Sequence, residues 1–178
     1  MWRIKDKYIF DTEEIEASCY VLLALFLASQ EVARLGKCEG FNLLPLYENK
    51  KIKEHLVSIA MRLRMIDDIM KANGRTAHCL PLDVGVVENQ TDSASSAASI
   101  RDACNKIIHA KTMAFVPTAT PHAQGLLYLA PEVQLFGTNN GKPWKITINI
   151  KEFVRAALHM VMTYDDDWDV SGYSNDTR

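Results

Sequence analysis

Arg101, Asn105 and His109 recur at intervals of four in the segment Arg101-Asp102-Ala103-Cys104-Asn105-Lys106-Ile107-Ile108-His109. At about 3.6 residues per turn, that spacing stacks a cation, an amide and an imidazole on one ridge of a helix. Ile100, Ala103, Cys104, Ile107 and Ile108 fall on a separate, apolar side. A guanidinium grips phosphate through paired hydrogen bonds, and an imidazole moves protons near neutral pH. His109 stands near the end of this helix, where the dipole favours positive charge. The same spacing also fits a solvated face that ends on a dipole partner.

Other candidate groups offer less. Arg155 and His159 lie one turn apart on the polar side of the last helix, a second pair or a solvated face. His78 and Cys79 are adjacent, and His122 follows Pro121, but no zinc-finger spacing links them. His55 falls on a charged helix face. Asp67-Asp68 and the acidic tail have no complementary acidic cluster. The sequence therefore implies no metal site and no cofactor. It holds no glycine-rich phosphate loop, no Gly-x-Ser-x-Gly and no catalytic cysteine signature.

The chain has 178 residues, a formal charge of −2, 48% hydrophobic and 24% charged residues. This suits one domain with a sizeable core and excludes wholesale disorder. It argues against a strongly basic nucleic-acid binder but leaves room for a local basic patch. The four cysteines, Cys19, Cys38, Cys79 and Cys104, form no Cys-x-x-Cys pair. Cys19 and Cys104 fall on apolar helical faces, which suits thiols in a reducing cytoplasm. There, the glycosylation-like triplets at Asn89 and Asn175 carry no meaning.

The elements that position the ridge read as follows. Asp11-Thr12-Glu13-Glu14 starts a helix that runs to about Leu35 and stops at Gly36. Its run Ala17–Ala28 is too short to span a membrane, which needs about 20 apolar residues. Acidic residues on both sides fit a buried helix at the centre of the fold better than a signal peptide. A loop follows over 37–47. Between Asn49 and Asn73-Gly74, Ile52, Leu56, Ile59, Leu63, Ile66 and Met70 form a helical seam. Lys50, Lys51, Lys53, Arg62, Arg64 and Lys71 make its rest basic, as a solvated face or a phosphate-contacting surface.

Residues 74–96 read as a long connection, polar and mobile over Glu88–Ser96, before a third helix at about Ala97–Ala110. Alternating apolar runs then flank Thr138-Asn139-Asn140-Gly141, a strong hairpin signal over 126–150. Pro131 marks its first strand as an edge or a bulge. The last helix spans about Ile150–Tyr164, and 165–178 is an acidic, flexible tail. The expected fold is mainly α: an antiparallel helical bundle over 1–164 with a β-hairpin inserted before the last helix.

The long apolar first helix, the order of elements and the Arg101-Asp102 … Ile107-Ile108-His109 segment resemble the HEPN superfamily (higher eukaryotes and prokaryotes nucleotide-binding domains). Its members are all-α bundles, many of them RNases in bacterial conflict systems. Their signature is an Arg, often followed by a polar residue, with a His a few positions later. The resemblance covers residues 11–164 and rests on this one segment. It implies metal-independent RNA cleavage in a cytoplasmic homodimer, without cofactor or membrane. His109 would be the acid or base, Arg101 would stabilise the phosphorane and Asn105 would orient the phosphate or base. A role in bacterial defence would add an antitoxin protein as partner. Seven residues separate Arg101 from His109, more than the family's usual spacing. In an unbroken helix they stand ~12 Å apart along the axis. This leaves a variant site built across a dimer, or an inactive module that binds nucleotide, RNA or a protein partner.

Overall fold

The computed structural model describes residues 11–39, 49–75, 83–89, 95–119 and 127–172. The chain forms four helices and a five-stranded antiparallel sheet. The helices are α1 (Glu13–Glu39), α2 (Asn49–Ala72), α3 (Ile100–His109) and α4 (Ile150–Gly172). The strands are β1 (Gly85–Asn89), β2 (Ser95–Ala98), β3 (Thr112–Ala119), β4 (Leu127–Asn139) and β5 (Lys142–Asn149), in the order β2-β1-β5-β4-β3. The chain is therefore mixed α/β, and the mainly helical bundle expected from sequence, and implied by the HEPN resemblance, is not its fold.

The expected hairpin is the middle of that sheet. Asn140 (φ 49°) and Gly141 (φ 78°) close β4 onto β5 with the two left-handed residues of a tight turn. On the covered face, Val133 pairs with Ile148, Leu135 with Ile146 and Gly137 with Trp144. The opposite face carries Lys145, Thr147 and Gln134. Pro131 stands where the β3–β4 register shifts and just past the last β4–β5 pair at Glu132, so its missing N–H costs no ladder bond.

β1 and β2 occupy the stretch read as a connection, and β3 follows the third helix directly. β1 docks on β5 through Gly85↔Ile148 and Val87↔Ile146. Gly85 is required there, because a Cβ would collide with the Thr147 carbonyl oxygen. The third helix accordingly starts at Ile100, not Ala97. Ser99 Oγ accepts from the Asp102 N–H while the Asp102 carboxylate accepts from the Ser99 N–H, a reciprocal cap.

The helices divide the core unequally. The α2 seam from Ile52 to Met70 is buried, and Gly74 (φ 70°) ends the helix with Arg75 N–H donating to the Met70 carbonyl and Gly74 N–H to Lys71. α4 holds the central place, touching the other three helices and the sheet, with Phe153, Ala157, Met160 and Val161 buried. It extends through Asp165, which accepts from Thr12 Oγ1, to Gly172. Residues 165–172, the first part of the acidic segment, thus continue the helix, and 173–178 lie outside the described residues.

α1 corrects two expectations. It continues through Gly36 to Glu39, since an interior glycine costs a helix only about 1 kcal/mol. It also lies at the flank of the fold. Among its described side chains only Ile15, Cys19, Leu22, Phe26, Ser29 and Ala33, one stripe at helical spacing, are buried. Tyr20 and Leu27 are 76% and 72% exposed.

Candidate functional site

α3 carries all three residues of the predicted ridge. Ile100, Ala103, Cys104 and Ile107 anchor the helix in the core. Each step of four residues turns about 40° past a full circle, so the ridge drifts around the helix. Arg101 faces α2, Asn105 is half-buried, and His109 reaches solvent at the helix end. The ridge is real as a spacing, but the three side chains occupy three different environments. His109 lies two helical turns beyond Arg101.

Arg101 is already engaged. Its guanidinium pairs with Asp67 and reaches Asp68 at 3.7 Å, both on α2. Asp67 is 8% exposed and is the hub of this junction. It also accepts from Arg64 Nη1 at 3.2 Å and from Lys71 Nζ at 2.9 Å. Arg64 Nη2 reaches Asp68 at 3.5 Å. Local helix geometry supplies half of this, because Arg64 and Lys71 flank Asp67 at three and four residues. Arg101 supplies the rest across the α2–α3 contact. Three cations meet two carboxylates, and the buried carboxylate is compensated as burial requires.

A second feature of α3 lies one turn on. Lys106 Nζ sits 4.1 Å from the centre of the Trp144 ring. Trp144 is itself 4% exposed and packs over Gly137, where a Cβ would strike its ring. Burial lowers the Lys106 pKa, Asp102 opposes this, and the ring contact also favours the cation. The indole is thus held between a strand glycine and a helix lysine, which fixes α3 over β5.

The other candidates separate in space or fall elsewhere. Arg155 pairs with Glu152 on its own helix, and His159 is half-buried, with no hydrogen-bond partner for Nδ1 among the described residues. His78, Cys79 and His122 lie outside the described residues. Among the described residues no group of three His, Cys, Asp or Glu side chains could hold a metal ion. Cys19 is a buried thiol, its pKa pushed up to about 12 by desolvation and then by the Glu16 charge.

Sequence reasoning missed the partnership of Asp67 and Asp68 with Arg101. It set the two carboxylates aside as an incomplete metal site and read Arg64 and Lys71 as a basic face. The available signal was a carboxylate flanked by cations at three and four residues on the seam side of a helix. Compared with known protein families, curated proteins and solved structures, the chain has no match in any of the three.

Proposed function

We propose that this protein is a non-catalytic binding module that engages another protein. The observation that carries this reading is the Arg101 guanidinium seated on Asp67 and Asp68. A phosphate would have to displace a nearly buried carboxylate already matched by Arg64 and Lys71. His109 is exposed and lies two helical turns beyond Arg101, too far for the two to share one phosphate within the chain. The exposed apolar residues of α1 and the formal charge of −2 favour a protein partner over RNA.

The test is incubation of RNA with the purified protein in EDTA, wild type beside His109→Ala. Intact RNA with both proteins is the expected result. Cleavage by the wild type that is lost in His109→Ala, leaving cyclic phosphate ends, would overturn this reading in favour of the metal-independent RNase.

A further inference from the structure

β5 ends at Asn149, where the chain turns into α4, and its last pair with β4 is Asn149↔Glu132. Residues 127–131 of β4 therefore have no β5 partner. α1 takes the vacant place: the buried Ser29 Oγ accepts from the Leu129 N–H at 2.9 Å. Two residues on, and so on the same side of the strand, Pro131 has no N–H to satisfy. A helix is wider and rounder than the strand it replaces, and α1 leaves a gap between β4 and the first turn of α4. That gap is a cavity of about 200 Å³. Phe26, Leu129 and Ile150 are buried at its floor, and Leu27, Gln30 and Lys151 stand exposed at its mouth. Neither Leu129 nor Pro131 turns a free N–H toward it, so the strand wall presents no donor for an ordered water.

We propose that this cavity binds a small amphipathic carboxylate, with its apolar body on the floor and its head group at Lys151 and Gln30. Size sets the body: an apolar cavity of about 150 Å³ takes benzene, so this one suits roughly eight to ten non-hydrogen atoms. Charge sets the head. Lys151 is the one charged residue among those lining the cavity. It makes no ion pair with a described carboxylate, and Glu152 beside it pairs with Arg155. Asn149 Oδ1 accepts from the Lys151 and Glu152 N–H groups, so the positive end of the α4 dipole is held at the same mouth. The Gln30 amide adds a neutral donor across from it. An ammonium head would meet Lys151 and the dipole with like charge. A hydroxyl would fit the space but gain only a neutral hydrogen bond, about half as strong as one to a charged group. This inference stands apart from the proposed function, since it requires neither RNA nor a protein partner.

The test is a titration of the full chain, labelled at its methyl groups, with phenylpropionate, followed by nuclear magnetic resonance. Phenylpropanol and phenylpropylammonium, which keep the body and change the head, are titrated beside it. Phenylpropionate should shift the methyl signals of Leu23, Leu27, Leu129 and Ile150 and saturate with a Kd on the order of 0.1–1 mM, as a ligand of this size allows. The alcohol should bind more weakly and the ammonium most weakly. Lys151→Met changes an exposed position, so the fold should persist. It should weaken phenylpropionate about threefold to tenfold, the range of a partly exposed charge pair, and leave the alcohol within about twofold. Lys142→Met, at the far turn of the sheet, should change neither. No saturable shift of the lining methyls by about 10 mM would overturn the proposal. So would shifts that spread over the exposed side of α1 without saturating, which mark surface adsorption. Equal affinity for the three heads, or a Lys151→Met protein that binds phenylpropionate like wild type, would overturn the assignment to an acid.

Discussion

Replacing Arg101 with alanine separates a structural cation from a catalytic one. Breaking a fully buried ion pair by removing one partner costs about 3–5 kcal/mol. The Arg101 side chain is 39% exposed, and Asp67 keeps Arg64 and Lys71, so the cost should fall to about 1–2 kcal/mol. Asp67→Ala should cost more, about 3 kcal/mol, because it leaves three cations facing one another where a buried carboxylate stood. The double variant should lose less than the sum, with a coupling of about 1 kcal/mol. At this chain length each kcal/mol moves Tm by about 2–4 °C. Urea and thermal unfolding followed by circular dichroism would read the whole cycle. His109→Ala is the control and should stay within about 0.5 kcal/mol of wild type, since the residue is exposed. If Arg101→Ala cost no more than His109→Ala and the cycle were additive, the Asp67 junction would not be what holds Arg101.

Three further outcomes follow from the packing. Gly137→Ala should displace the Trp144 ring, with a change in its fluorescence and a loss of about 1–3 kcal/mol in urea unfolding. Gly141→Ala should cost about 1 kcal/mol, because it strains the left-handed second turn residue without any clash. Cys19 should make stability fall in alkali. Its folded pKa of about 12 lies above the ordinary 9.0, so its contribution is complete below pH 9 and is lost as pH rises toward 12. The ceiling is about 4 kcal/mol at 1.36 kcal/mol per pH unit. The stability gap between wild type and Cys19→Ala should narrow between pH 8 and 10.5, and an unchanged gap would contradict the assignment.

The residues divide cleanly by what made them legible. The α2 seam, the apolar stripe of α4 and the Asn140-Gly141 turn were readable, because each is a local pattern with a local cause. β2 was not: Ser95-Ser96-Ala97-Ala98 has no strand propensity and is extended because β1 offers it a ladder. β3 was hidden similarly, an edge strand with Pro117 inside it and a register shift beside it. α1 misled in the other direction. Its apolar residues run nearly all round the helix, but the rest of the fold covers only one stripe. In the site, the spacing of Arg101, Asn105 and His109 was readable. Which of them would meet Asp67 was not, because that depends on how α3 crosses α2. The fold class failed for the same reason: three of the five strands are defined by partners distant in sequence or by weak local patterns.

The most direct measurement is the nuclear magnetic resonance signal of the Arg101 guanidinium during titration with a short oligoribonucleotide. A guanidinium held on Asp67 and Asp68 should give slowly rotating, separately resolved N–H signals that do not move as RNA is added. A saturable shift of those signals, with a matching shift of the His109 imidazole at the same RNA concentration, would show the two residues acting together on RNA and would contradict the binding-module account.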